Sequence, residues 1–158
     1  MRKLRKIYWA FRRFWLLPVE RKLMYAEAFV RLSSAWLLIR LVPFSAWRGL
    51  MGQPGPLPQS NAARDQDKAI ASEIASLHFV VHRVFGTRFT CLMLALSARG
   101  MLKVRGIPSE LVLGVKRKPD NSQTDKLGAH AWVRSGPIEI IGQEGSEDFT
   151  PVAVFGAY

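Results

Sequence analysis

Up to residue 105 the apolar positions recur every three to four residues; beyond it they gather in short runs. Leu4, Ile7, Tyr8, Phe11, Phe14 and Trp15 lie at helical spacing, with Arg5, Lys6, Arg12 and Arg13 on other faces, which predicts an amphipathic helix over 3–17. Pro18 suits the first turn of a second helix, with Glu20 near its positive end. That helix continues through Leu23, Ala26, Val30, Ala35, Leu38 and Leu41 until Pro43 stops it, and Ser45 offers a cap for one further short turn. Gly52-Gln53-Pro54-Gly55-Pro56-Leu57-Pro58 holds too many prolines and glycines for regular structure, so 52–62 reads as a linker.

The second half begins with Ile70, Ile74, Leu77, Val81 and Val84, one face of a helix ending near Gly86. Thr90 is placed to cap a further helix from Cys91 to Val104, with Gly106 closing it. The period then changes. Leu111–Val115, His130–Arg134 and Ile138–Ile141 read as strands, the last two joined by a tight turn at Ser135-Gly136-Pro137. Val152–Phe155 adds a short fourth strand, and the polar stretch Lys116–Asp125 reads as an exposed loop. Helices first and an antiparallel sheet afterwards make an α+β fold. The expected organisation is a basic helical region over 1–51, the linker over 52–62, and a core over 63–158.

Composition sharpens this division. Of 158 residues, 49% are hydrophobic and 22% charged, which excludes a disordered or collagen-like chain and suits one domain. The formal net charge is +11, and it is lopsided: residues 1–50 carry eleven basic and two acidic side chains, leaving +2 for the rest. One cysteine, Cys91, rules out a disulfide scaffold. Arg31 and Arg40 break the most apolar stretch, so no membrane-spanning run of about 18 residues is present. Arg12 and Arg13 likewise interrupt the start before a signal-peptide apolar region can form. The expected location is cytoplasmic, with peripheral contact at the membrane left open by the basic amphipathic start.

Cys91 is the first candidate for chemistry. A helix N-terminus presents unpaired backbone N–H groups and a partial positive charge, and both stabilise an anion such as a nucleophilic thiolate. The bland reading is a small buried residue of the core. His130, in Ala129-His130-Ala131-Trp132, is the natural partner, since a sheet packed on the cysteine helix can hold an imidazole beside the sulfur. Its bland reading is a histidine hydrogen-bonded at a strand end.

Three blocks then carry a resemblance. They are Thr90-Cys91-Leu92-Met93-Leu94-Ala95-Leu96, Arg105-Gly106-Ile107-Pro108-Ser109-Glu110-Leu111-Val112-Leu113-Gly114-Val115, and Gly128-Ala129-His130-Ala131-Trp132-Val133. In this order they resemble the transglutaminase-like cysteine proteases of lasso-peptide biosynthesis, the B-protein leader peptidases related to the microcin-processing enzyme. The helical section Phe14–Leu50 is similar to that family's N-terminal part. The resemblance implies a papain-like core in which Cys91 attacks the leader–core peptide bond of a ribosomally made precursor. His130 serves as base toward the thiol and then as acid toward the leaving amine.

It also implies partners. Residues 1–60 do not look like the winged-helix domain that holds the leader in such systems, so the chain resembles the split, protease-only form. It is expected to need a separate winged-helix leader-binding protein, the precursor's leader peptide, and a cyclase acting downstream. No cofactor is expected, and the sequence is silent on a nucleotide requirement. Two alternatives stay open: another acyl transfer on the same scaffold (a transglutaminase or amidase), or an inactive adaptor at a membrane or partner.

Two places depart from the family pattern. The third catalytic residue there is an Asp that orients the imidazole. In the expected hairpin register its place falls near Gly142, and no Asp lies between Asp125 and Asp148. Glu139, Glu144 and Asp148 are the substitutes in view, with Glu139 ranked first. The papain-type glutamine of the oxyanion hole is also missing, since no Gln lies between Gln66 and Gln123; the backbone N–H of Cys91 is one donor in view. Other signals are weaker. His78 and His82, four apart on a helix, could present two imidazoles to a metal but lack a third clustered ligand, so no metal is expected. The basic first fifty residues fit a protein partner or a membrane surface. Nucleic acid is not expected, for want of a recognisable binding motif.

Overall fold

A computed structural model describes residues 15, 17–56, 65–85, 89–118, 126–136, 138–142 and 145–157. The expected helix over 3–17 lies outside them except for Trp15 and Leu17. Helix α1 spans Val19–Leu41, with Pro18 as its N-cap rather than inside its first turn. A four-residue helix α2, Phe44–Trp47, begins after Pro43 and runs into a 3-10 turn over Arg48–Met51. Helix α3 spans Asp65–Phe85 and helix α4 spans Cys91–Val104. The strands are β1 (Gln53–Pro54), β2 (Ser109–Lys118), β3 (Lys126–Ser135), β4 (Ile138–Ile141) and β5 (Thr150–Ala157), in the antiparallel order β1-β5-β2-β3-β4. The α+β class and the placing of the first three strand readings are therefore correct, but β2 and β3 are longer than read, and Lys116–Lys118, expected in a loop, belong to β2. The fourth strand is longer than expected, because β5 pairs with β2 along nearly its whole length.

Helix α4 is the middle of the molecule. It packs on β3, β2 and β4 from one side and on α1 and α3 from the other. This double burial explains its composition: Ala95, Ala98, Met101 and Leu102 have no exposed surface. Small residues let α1 approach closely, as Ala28 and Ala35 are buried in the same core. A Cβ on Gly100 would stand 2.5 Å from the Arg31 guanidinium. Full burial of a side chain such as Leu32 or Leu102 is worth roughly 1.5–3 kcal/mol each.

A charged clamp fixes the far end of α4. Glu27 on α1 accepts from Arg31 Nε at 2.8 Å and from Arg105 Nη2 at 2.9 Å, while Arg105 Nη1 donates to the Met101 carbonyl. Burial by itself raises the Glu27 carboxyl, but the two arginine bonds outweigh it and leave the group below its ordinary value.

These contacts correct the expected division of the chain. Ala28, Leu32, Ala35, Trp47 and Met51 belong to the same core as Ile74, Leu102 and Val133. The described part of 1–51 is thus a layer of the domain and not an attachment to it. The expected linker is also structured at its start, where Gln53 and Pro54 pair with Gly156 and Phe155 on β5; residues 57–62 lie outside the described part. What α1 leaves outward is apolar as well: Val19, Leu23, Val30, Leu37 and Leu41 are exposed. No helix among the described residues is long and apolar enough to cross a membrane.

Candidate active site

Cys91 is the first residue of α4. Thr90 caps the helix, its Oγ1 accepting from the Met93 N–H at 3.4 Å, and the first helical bond runs from Leu94 N–H to the Thr90 carbonyl. The cap satisfies the third helical N–H, so those of Cys91 and Leu92 have no acceptor inside the helix. They are two unpaired backbone donors at the end of the helix that carries the thiol, the second of which was not legible in the sequence. The thiol is half-buried and free.

His130 stands on β3 opposite Gly114 of β2. On its other side β4 pairs only with Val133, Arg134 and Ser135, so the edge of β3 is open at the histidine. The chain leaving β4 closes that gap. His130 Nε2 donates to the Gly142 carbonyl at 2.9 Å; a carbonyl can only accept, so the proton sits on Nε2 and Nδ1 is the basic nitrogen of the neutral ring. The ring is also held by aromatic neighbours, stacked with Trp132 at 5.9 Å between centroids and tilted against Phe149 at 5.0 Å. Gly114 makes room for this, because a Cβ there would meet the Trp132 ring at 2.7 Å.

The orienting acceptor thus falls at the position the strand register picks out, and it is a main-chain atom. Gly142 has φ +83°, and a Cβ on it would lie 2.8 Å from the Ala131 carbonyl and 2.9 Å from the Trp132 Cβ. An Asp could not occupy this backbone without displacing it. This corrects the expectation for Glu139 as the orienting residue. Glu139 is among the residues lining the same space, but its hydrogen bond comes from Ser146 Oγ at 3.3 Å and not from the imidazole. Asp148 is turned to Lys116, whose Nζ donates to it at 2.8 Å, and Glu144 lies outside the described residues. A carbonyl fixes the tautomer as an Asp would but brings no full negative charge to an imidazolium.

Cys91 and His130 open onto one cavity of about 470 Å³ between α3, the start of α4 and the end of β4. Among the described residues no hydrogen bond joins thiol to ring. His78 and His82 line the cavity too. His78 is fully buried, its Nδ1 on the Ile74 carbonyl and its Nε2 on Ser97 Oγ, both at 2.9 Å. Burial pushes its ring below the ordinary value, so it is a neutral tie between α3 and α4. His82 is exposed. Among the described residues no group of three or more His, Cys, Asp or Glu could hold a metal ion. The role of His78 had a faint signal in the sequence: it follows Ile74 by one helical turn on the buried face.

A cysteine at a capped helix N-terminus and a tautomer-locked histidine on an antiparallel sheet define a cysteine-dependent acyl-transfer class of site. The family model described as the transglutaminase-like superfamily matches residues 35–154, and the chain belongs to that superfamily. The match begins at residue 35, in the last two turns of α1. No curated protein and no solved structure matches the chain.

Proposed function

We propose that this protein is a cysteine peptidase that removes the leader from a ribosomally made, lasso-type precursor peptide. The observation that carries the chemistry is the Nε2–Gly142 bond, which leaves Nδ1 of His130 as the basic nitrogen in the cavity it shares with Cys91. Nδ1 takes the thiol proton, and Sγ attacks the carbonyl carbon of the last leader residue. The oxyanion forms beside the N–H groups of Cys91 and Leu92. The C–N bond breaks, the core leaves as an amine with the proton from Nδ1, and the leader remains as a thioester on Cys91. Water, deprotonated by the same nitrogen, then releases the leader as a carboxylate.

The lasso assignment rests on the resemblance of the blocks around Cys91, Gly106 and His130. With it come a separate winged-helix leader-binding protein and a downstream cyclase as partners. The outward apolar residues of α1, at Leu23, Val30 and Leu37, support a docking role for the first fifty residues. The test is incubation with a precursor peptide and its leader-binding protein, followed by mass analysis of wild type and Cys91→Ala. Leader loss in the wild type alone is expected; equal loss in both removes the thiol mechanism. Release of ammonia, or formation of an isopeptide, would assign an amidase or transglutaminase to the same residues.

A further inference from the structure

Glu139 is left over once the Gly142 carbonyl takes the imidazole. It lies across from Arg134 in the β3–β4 register, but Arg134 Nε is engaged by Glu110. Among the described residues Glu139 has no ion pair, only the 3.3 Å bond from Ser146, although the chain carries 23 Lys and Arg. Among the described residues lining the cavity it is the only carboxylate, and none of them is a Lys or Arg. The described lining of the reaction space thus carries a carboxylate and no Lys or Arg, in a protein of formal net charge +11. Phe79, Leu94, Ile140 and Ile141 line the same space with apolar surface.

We infer that Glu139 is a specificity-determining residue that selects a Lys or Arg side chain next to the scissile bond. The apolar walls would cover the methylene stem of such a side chain while the carboxylate meets its charged head. A half-buried carboxylate with spare acceptor capacity is the group this requires. The substrate assignment rests on the acyl-transfer reading above, but the charge at the site can be read without any turnover.

Cys91 is the protein's single thiol, so its modification reports on this cavity alone. The full chain is treated with methanethiosulfonates carrying a trimethylammonium, a methyl or a sulfonate group. In each case the thiolate attacks the sulfenyl sulfur, a disulfide forms and methanesulfinate leaves. Salt near ~0.15 M screens charges farther than ~8 Å. The expected result is that the cation reacts faster than the anion. Glu139→Gln should lower that ratio about tenfold while the neutral reagent keeps its rate within about twofold, and Glu139→Asp should retain most of the preference.

An unchanged ratio in Glu139→Gln overturns the inference, provided that its melting temperature matches wild type; Glu139→Ala, which also removes the charge, supplies the same comparison if Gln is poorly folded. A parallel loss with all three reagents also overturns it, since Glu139 would then act on the cysteine–histidine pair. With precursor peptides, replacing a flanking Lys by norleucine should cost the wild type about tenfold in kcat/KM and cost Glu139→Gln little. If wild type cleaves no precursor and its thiol is no more reactive than in denaturant, the acyl-transfer reading fails and takes the substrate assignment with it. The reagent ratio would still report the charge of the cavity.

Discussion

His78 and His130 line the same cavity, and each is tied to a backbone carbonyl at 2.9 Å. They differ in the other nitrogen. In His78 it is taken by Ser97, so the ring is a fully satisfied, buried crosslink with nothing left to exchange protons. In His130 it has no hydrogen-bond partner among the described residues, and the ring is held by one bond and two aromatic faces. A histidine becomes useful for catalysis when one nitrogen is fixed and the other is not. Burial and hydrogen-bond count separate the two rings.

The comparison is broken most severely by removing the working ring. On the proposed function, His130→Ala should lower leader release about 10³–10⁴-fold, like Cys91→Ala, with melting temperature little changed; mass-resolved single-turnover assays would measure it. Next comes the atom that fixes the ring. Gly142→Ala places a Cβ at 2.8 Å from the Ala131 carbonyl at positive φ, so the loop must shift and carry its acceptor away from Nε2. Activity should fall roughly 10–100-fold, with a stability loss of about 1–3 kcal/mol in urea titration. Gly142→Asp should not rescue it, because the same backbone clash precedes any gain from the carboxylate.

The buried histidine should show the inverse pattern. His78→Leu is expected to cost about 1–3 kcal/mol of stability by leaving the buried Ser97 hydroxyl without its partner on α3, with little change in turnover of the folded enzyme. Adding Ser97→Ala should recover part of the loss. The pH dependence carries a definite sign. The folded-state pKa of His78 is lowered, so below its ordinary value near 6.5 the unfolded chain binds a proton that the native state resists. Its contribution is therefore present at neutral pH and is lost as pH falls through 6.5 toward the lower folded value. Wild-type stability should decline across that window more steeply than that of the His78→Leu/Ser97→Ala variant.

The smallest effect concerns a third basic group, two turns down the cysteine helix. Arg99 is buried with neither Nη atom hydrogen-bonded, and burial pulls its pKa down to about 10. Gly52 borders it, since a Cβ there would lie 2.1 Å from Nη2. An uncompensated buried charge is a cost, so Arg99→Met should be neutral or stabilising by up to about 1 kcal/mol, read as a rise in melting temperature. A loss of several kcal/mol would show that the guanidinium has a favourable partner.

Much of this was legible in the residues. Thr90 before an apolar-periodic run places Cys91 at a helix start, and the alternation around His130 makes it a strand residue, because capping and periodicity are short-range properties. The register placed the orienting position at Gly142, yet pointed to Glu139 for the function, since side-chain chemistry is what a sequence displays. Every residue has a carbonyl, so nothing in the letters marks the one that will face an imidazole. The same limit applies to Ser97, an ordinary helix serine until α3 is laid against it.

By itself, then, the sequence determined the α+β order of elements, the cysteine at a helix N-terminus, the strand histidine and the lack of an Asp between Asp125 and Asp148. Only the tertiary structure decided that α1 belongs to the domain core, that Gln53 and Pro54 extend the sheet, and that a main-chain oxygen orients His130. The physical reason is range. Caps and apolar periods act within a few residues, whereas the acceptor of a buried N–H is chosen by segments that meet only after the chain has closed on itself.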